Sequence, residues 1–370
     1  MKILLVITKG EIGGAQIFVL NLAAGLIAAG HDVSVAYGEG NYLKQELEKI
    51  AVPVINFQYL RRTNNPFANF LFIKEIYNFL KNKKFDVVHF NSSNALFGAI
   101  GAKLANPLGK NVFTVHGLSL LDPNHQSAKI KKLIYFYFFK FFFNFIDDIV
   151  FVGQNNYDWA LKNKLIKNGT VIYNGLDKNE LAFLYHEEAR VVIAAKTNPE
   201  IKNCFLIGSI GRLAYPKNYE FLINLMPQIL QIEPSAKLII IGTGPEKKKY
   251  SDLIVKNKLE NNVYLLGEIS NAPKLIKAFD LFVLPSVYEG VSITLTEAML
   301  ADVKIMASRV GGTPEIIKDD NSLFTLNDEQ DFLQKFKQIK NSRVIPADEN
   351  FKNKFERATM VAKYLATYQN

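Results

Sequence analysis

The 370-residue chain contains a single cysteine, Cys204, and a single tryptophan. One thiol excludes an intramolecular disulfide framework and a cysteine-built metal cluster, and it fits a reducing compartment. Uninterrupted apolar runs of the roughly 18 residues that a membrane span needs are missing as well. No Asp-x-Asp pair occurs anywhere in the sequence. The opening "MKILLVITKGEIGGAQ" has too short an apolar run and no small-residue cleavage site for a signal peptide, so it is expected to be a strand. What is present in quantity is apolar: 49% of residues are hydrophobic against 21% charged. That balance excludes disorder, and the length fits two domains of ordinary size.

Short apolar runs alternate with amphipathic segments along the chain. "KILLVI", "VSVAY", "DVVHF", "VFTVH" and "DIVFV" read as parallel strands covered on both faces. After Cys204 the pattern restarts with "FLIGSIG", "KLIIIG", "VYLLG", "LFVLPS" and "VKIMAS". Strand and helix in alternation, twice over, predict an α/β protein of two Rossmann-like, doubly wound parallel-sheet domains facing a cleft. The expected boundaries are residues 1–178 and 179–354, with a helix near 355–370 packing back on the first domain and the polar stretch around 178–203 as hinge. The charge is uneven: residues 1–178 carry 20 Lys and Arg against 12 Asp and Glu, and residues 179–370 carry 24 against 23. A net +8 half either faces an anionic partner or reflects lysines spread over solvated faces.

Open parallel sheets bind ligands beyond the carboxyl ends of their strands, and the informative residues fall there. Gly13 and Gly14 precede a helix after the first strand, where the backbone can approach a phosphate; an ordinary strand-to-helix turn would look the same. His116 ends the strand "VFTVH" and can hydrogen-bond a ligand, whereas His31 and His89 read as structural. Arg212 and Lys217, in "GRLAYPKN", suit a pyrophosphate, or else form a surface pair. In "LPSVYEGVSITLTEAML", Glu289 falls on the loop after a strand and Glu297 about one turn into the next helix. Carboxylates that only accept are suited to sugar and ribose hydroxyls, and beside two cations they describe a site for a nucleotide sugar.

In order along nearly the whole chain, "GGAQ", "DVVHFNSS", "TVHG", "VIYNGLD", "GRLAYPKN", "IGTGP", "YLLGEI", "PSVYEGVSITLTEAM" and "GGTPEII" resemble glycosyltransferase family 4, retaining enzymes of the GT-B fold with an E-x7-E acid pair. The resemblance implies transfer of a hexosyl or N-acetylhexosaminyl group from a nucleotide-diphosphate donor, a UDP-sugar foremost. Arg212 and Lys217 would hold the pyrophosphate, Glu297 the ribose and Glu289 the sugar. His116 would lie near the sugar's reacting face. Gly13, Gly14, Gly290 and the amides around Val291 and Ser292 would complete the phosphate cradle. The acceptor expected is a lipid-linked sugar or another glycan in surface-glycan, lipopolysaccharide or glycoprotein-glycan assembly. No cofactor or metal is expected, because preorganised cations and helix amides can stabilise the leaving diphosphate. "FVGQNN", with Gly153 and Gln154, and "NGL" depart from the family pattern on the acceptor or hinge side. A sugar-nucleotide epimerase of the same fold and a basic nucleic-acid-binding protein are the alternatives. The second leaves the acids at the strand ends unexplained, so no nucleic-acid partner is expected.

One segment stands apart. Nine of the fifteen residues 131–145 are Phe or Tyr, with Lys129, Lys131, Lys132 and Lys140 among or just ahead of them. Bulky aromatics beside lysines fit a helix lying in an anionic membrane interface, alongside a face packed on the sheet. The expected location is therefore cytoplasmic, peripheral on the inner face of the cell membrane.

Overall fold

A computed structural model describes residues 1–369. They form two compact units, one of residues 1–177 together with those from 353 onward, the other of residues 178–352.

In the first unit the strands are β1 Lys2–Lys9, β2 Asp32–Glu39, β3 Val54–Asn56, β4 Val87–Phe90, β5 Lys110–Val115, β6 Asp148–Phe151 and β7 Thr170–Val171. They pair in parallel in the order β3-β2-β1-β4-β5-β6-β7. The near-continuous apolar run of β1 follows from its central place, because successive side chains enter opposite layers. Leu4 and Val6 join a layer with Phe72, Phe90, Phe139 and Phe142, whereas Ile3, Leu5 and Ile7 join one with Phe18, Leu22 and Tyr364.

The second layer is closed by the helix Arg357–Gln369. Its Tyr368 Oη lies 2.7 Å from Nδ1 of the fully buried His89, whose Nε2 lies 2.7 Å from Thr114 Oγ1; Thr114 in turn meets Tyr364 Oη at 2.8 Å. Burial pushes His89 down to about 3, so it is a neutral structural histidine. The two chain crossings are stitched together where they leave this unit. Leu176 N donates to Phe355 O at 2.8 Å, Arg357 N donates to Leu176 O at 2.9 Å, and Arg357 pairs with Asp177.

The second unit has β8 Leu206–Ile210, β9 Lys237–Ile241, β10 Val263–Gly267, β11 Leu281–Leu284, β12 Ile305–Ser308 and β13 Leu323–Phe324, in the order β10-β9-β8-β11-β12-β13, again all parallel. Residues 178–203 are not a free hinge. They include the helix His186–Ala194, and Arg190, buried in it, donates to the carbonyls of Ala278, Lys202 and Cys204 and pairs with Asp280. Polarity alone suggested a linker because most of the guanidinium's partners, at Cys204, Ala278 and Asp280, lie beyond the stretch.

The Tyr368–His89 contact sets a measurable cost. Tyr368→Phe keeps the ring and strands a buried imidazole nitrogen, so urea unfolding should show a loss of about 1–3 kcal/mol; unchanged stability would mean that the hydroxyl does not anchor the helix.

Candidate active site

In the second unit the chain reverses its direction of strand addition at β8, which pairs with β9 on one side and β11 on the other. Such a switch point opens a crevice at the strands' carboxyl ends, and the loops after β8 and β11 meet there. Arg212, the second residue after β8, is exposed, and its guanidinium has no partner among the described residues. Lys217 closes the short turn Tyr215–Lys217, after which Asn218 takes the left-handed conformation (φ 53°) and starts the helix Tyr219–Ile232.

Lys217 Nζ donates to Glu289 Oε1 at 2.6 Å, and Ser286 Oγ donates to the same oxygen at 2.6 Å. Glu289 Oε2 has no partner among the described residues. The loops are also tied through backbone, Val287 N donating to Pro216 O at 2.8 Å. Behind them lies the turn after β12. Gly311 has φ 49°, and a Cβ there would lie 1.9 Å from Glu289 O, so only glycine lets the Glu289 loop settle on this turn. Gly312 N donates to Glu289 O at 3.3 Å.

The loop leads through half-buried Gly290 and buried Val291 to Ser292, whose Oγ accepts from Leu295 N at 3.5 Å and caps the helix Ile293–Leu300. Glu297 lies within that helix, 3% exposed, and its Oε2 has no hydrogen-bond partner among the described residues. Burial without a compensating donor pushes its carboxyl up to about 8.

Two expectations gain detail here. Lys217, expected at a diphosphate, is paired with Glu289 in this structure, because the two loops converge. Glu297, expected to accept from a ribose, is held up to about 8 by burial, so its carboxyl can also donate. Sequence reasoning gave no role to Ser286 or Gly311, although "GGTPEII" was noticed; what was missing was the close approach of two loops distant in sequence.

In the first unit the corresponding reversal lies at β1, between β2 and β4. Gly13 caps the helix Gly14–Ala28, to which no side chain offers a cap. Its φ of 176° is ordinary extended backbone, so no unusual dihedral requires glycine; a Cβ would meet only the end of the Gln16 side chain, at 2.7 Å. His116 directly follows β5. The residue is half-buried; its ring packs edge-on against Phe18 at 4.7 Å between centroids and places Nε2 3.3 Å from Asn91 Oδ1. Burial holds the imidazole well below its ordinary value, so it is neutral at physiological pH.

The aromatic segment forms the helix Lys129–Phe142. Phe139 and Phe142 enter the core, and Phe97 from a neighbouring helix packs on Phe138 and Phe142 at 5.5 and 4.8 Å between centroids. The aromatics are thus divided between two faces. Ile130, Leu133, Ile134, Tyr137 and Phe141, at helical spacing, are all more than half exposed. Lys129, Lys131 and Lys140 are exposed beside them. Lys132 is not a free cation, since its Nζ donates to Asp122 O at 2.7 Å. No helix among the described residues is long and apolar enough to cross a membrane.

Two doubly wound parallel-sheet units with polar groups gathered at their strand ends define a class of α/β protein that binds ligands at those ends. The family follows from comparison: the model for Glycosyltransferase Family 4 matches residues 12–180 and that for Glycosyl transferases group 1 matches residues 193–358, and the chain belongs to this family. It is 26% identical over 300 residues to the UDP-Gal:alpha-D-GlcNAc-diphosphoundecaprenol alpha-1,3-galactosyltransferase of Escherichia coli, covering 78% of this chain and 75% of that protein. Over 331 residues it is 24% identical to the phosphatidylinositol N-acetylglucosaminyltransferase GPI3 subunit of Saccharomyces cerevisiae, covering 85% of this chain and 69% of that one. Among solved structures, Anabaena Alr3699/HepE, crystallised with UDP and glucose, has the same fold with a TM-score of 0.81 at 22% identity, each chain covered in full.

Glu297 makes stability depend on pH in a defined direction. Its carboxyl ionises near 4.5 when unfolded and near 8 when folded. Between those values the folded state binds the extra proton, so stability falls as pH rises, at up to ~1.4 kcal/mol per pH unit, and levels off above 8. Glu297→Gln should remove that slope, so the variant should gain on wild type from pH 5 to pH 8 in ligand-free melts. Parallel curves would place the ionised form of Glu297 in the folded protein.

Proposed function

We propose that this glycosyltransferase moves a hexosyl or N-acetylhexosaminyl group from a UDP-sugar to a lipid-linked acceptor, with retention of anomeric configuration and without a metal ion. The observation that carries the reading is the constellation at the β8 and β11 strand ends: an unpaired exposed arginine, a lysine–glutamate pair with one carboxylate oxygen open, and a buried carboxyl with an orphaned oxygen. An orphaned buried oxygen is costly, and ribose hydroxyls are groups of the size and polarity to satisfy it. Glu289 Oε1 is engaged by Lys217 and Ser286, which fixes the side chain and leaves Oε2 for a hydroxyl of the sugar. Lys217 keeps two of its three donors for phosphate.

As the glycosidic bond to the diphosphate breaks, negative charge grows on the β-phosphate. Arg212, Lys217 and the first amides of the Ile293–Leu300 helix would meet it, Lys217 and the amides being held in place before the reaction begins. The metal-free reading rests on those positive groups. UDP as the nucleotide is supported by the names of the Escherichia coli relative and of the Anabaena complex, and a lipid-linked acceptor by the diphosphoundecaprenol and phosphatidylinositol in the two relatives' names.

The exposed stripe Ile130, Leu133, Ile134, Tyr137 and Phe141 supports docking on the inner face of the cell membrane. In a parallel sheet the helix after β5 starts at the strand's carboxyl end, so its lysine-bearing end lies at the end of the sheet that carries His116. An acceptor headgroup held there would stand at the same end of the sheet as His116. The basic charge of the N-terminal half is then assigned to anionic lipid, not to nucleic acid.

Two measurements test the proposal. Thermal-shift screening should show stabilisation by a UDP-sugar in the presence of chelator. Arg212→Ala should lower transfer at least 100-fold while melting within about 2 °C of wild type, and Glu289→Gln, which leaves the covered Lys217 charge unpaired, should lower transfer as much while melting lower but still cooperatively. Unimpaired turnover in either variant, or activity that chelator removes and magnesium restores, would contradict the site. Co-sedimentation with phosphatidylglycerol vesicles should fall tenfold or more when Lys129 and Lys131 become Gln and Leu133 and Ile134 become Ser. Equal pelleting of variant and wild type would refute the docking surface.

A further inference from the structure

The apolar face that carries Ile130, Leu133, Ile134, Tyr137 and Phe141 is wider than the helix they belong to. The helix Pro66–Leu80 buries Phe72, Ile76 and Leu80 in the same layer of the first unit that receives Phe139 and Phe142. Its opposite side is open: Phe67 and Phe70 are 66% and 60% exposed, and Lys74 and Tyr77 continue the line at helical spacing. A helix that faced only water would carry polar residues there. A third helix, Phe97–Ala105, packs on both of its neighbours. Glycine brings it close to the first, since a Cβ at Gly101 would lie 2.5 Å from Ile73 O and one at Gly98 3.0 Å from the Phe72 ring, and Phe97 joins it to Phe138 and Phe142. Its own outward line is Phe97, Ile100 and Leu104, the first two half-buried and the last exposed. Three neighbouring helices thus turn apolar lines away from the sheet.

The charge of this stretch has one sign. Residues 61–142 hold 12 Lys and Arg against 3 Asp and Glu. Each of those carboxylates already accepts from backbone amides: Glu75 from Gln58 and Tyr59, Asp86 from Lys2, and Asp122 from Asn124. Arg61, Arg62 and Lys74 are exposed, as are Lys129, Lys131 and Lys140. The helix Pro66–Leu80 follows β3 in a parallel sheet, so Arg61, Arg62, Phe67 and Phe70 come to the same end of the sheet as Lys129 and Lys131.

We propose that the helix Pro66–Leu80 is a second membrane contact, with Phe67 and Phe70 entering the headgroup region of an anionic bilayer while Arg61, Arg62 and Lys74 meet its phosphates, so that the whole three-helix face lies on the surface. This rests on the bilayer docking proposed for the helix Lys129–Phe142 and adds an anchor made of separate residues. Aromatic rings flanked by long cations that can reach the headgroups suit a bilayer. A second copy of the chain is the poorer occupant, because a two-fold contact would set this cationic face against itself. Two lines of contact about 16–20 Å apart, twice the usual spacing of packed helices, would keep the unit from rolling about a single helix.

The test uses the full chain with phosphatidylglycerol vesicles, and phosphatidylcholine vesicles as the zwitterionic control. Phe67→Ser with Phe70→Ser should weaken co-sedimentation with phosphatidylglycerol at least fivefold, and Arg62→Gln with Lys74→Gln should do so at low salt, both melting within about 2 °C of wild type because these side chains are exposed. Phe70→Trp gives a second readout that keeps an aromatic ring in place: brominated phosphatidylglycerol should quench its emission beyond the background of Trp159, the one native tryptophan. Either binding of Phe67→Ser with Phe70→Ser within twofold of wild type, or no added quenching in Phe70→Trp, would overturn the second anchor. It would do so even where the Lys129, Lys131, Leu133 and Ile134 variant loses binding, so the two readings fail separately. Wild type that does not pellet would remove both. A dimer in sedimentation velocity that Phe67→Ser with Phe70→Ser dissociates, with vesicle binding unchanged, would assign the face to a second copy and overturn the proposal.

Discussion

The contact between Lys217 and Glu289 is the joint on which the strand-end crevice of the second unit depends. Its two residues leave neighbouring strands, β8 and β11, at the place where strand addition reverses, so the pair holds together the loops that wall the crevice. Both side chains are mostly covered, 19% and 14% exposed, and Ser286 donates to the same carboxylate oxygen. A covered ion pair is retained less for net stability than for the geometry it imposes, since removing one partner would strand the other's charge. Here the imposed geometry leaves the second carboxylate oxygen open and keeps a cation beside it.

Glu297 adds a second constraint of opposite kind. The loop positions Glu289 by satisfying it, whereas the Ile293–Leu300 helix buries Glu297 without satisfying one of its oxygens. The cost appears as a carboxyl that holds its proton near neutrality. Groups left in that condition are where a ligand can gain most by binding, because it recovers a hydrogen bond that the folded chain could not make. The first unit solves a parallel problem with neutral groups: Asn91, itself buried and held by backbone, presents one oxygen to His116.

Much of this was legible beforehand, for identifiable reasons. The central strands announced themselves because burial on both faces leaves runs such as "KILLVI" and "KLIIIG" nearly free of polar residues. The edge strands β3, β7 and β13, of three, two and two residues, carry too little pattern to be seen. Arg212, Lys217 and Glu289 could be assigned to strand-end loops because a charge soon after an apolar run marks the end of burial, and Glu297 to the helix that follows. What they do to each other could not. Lys217 and Glu289 are 72 positions apart and Asn91 and His116 25 apart, so their contacts come from the sheet order, and the protonation of Glu297 comes from the packing around it. The aromatic helix was half legible: its composition signalled two environments, but only the packing of Phe139 and Phe142 shows which ring faces which.

The central claim is that the orphaned carboxyl of Glu297 and the cations Arg212 and Lys217 together form the seat of a nucleoside diphosphate. A crystal structure of the chain with UDP tests it most directly. The account predicts ribose hydroxyls within hydrogen-bond reach of Glu297 Oε2, with the β-phosphate against Arg212, Lys217 and the amides at the start of the Ile293–Leu300 helix. UDP bound away from these groups, or seated there with Glu297 still unpartnered, would contradict it.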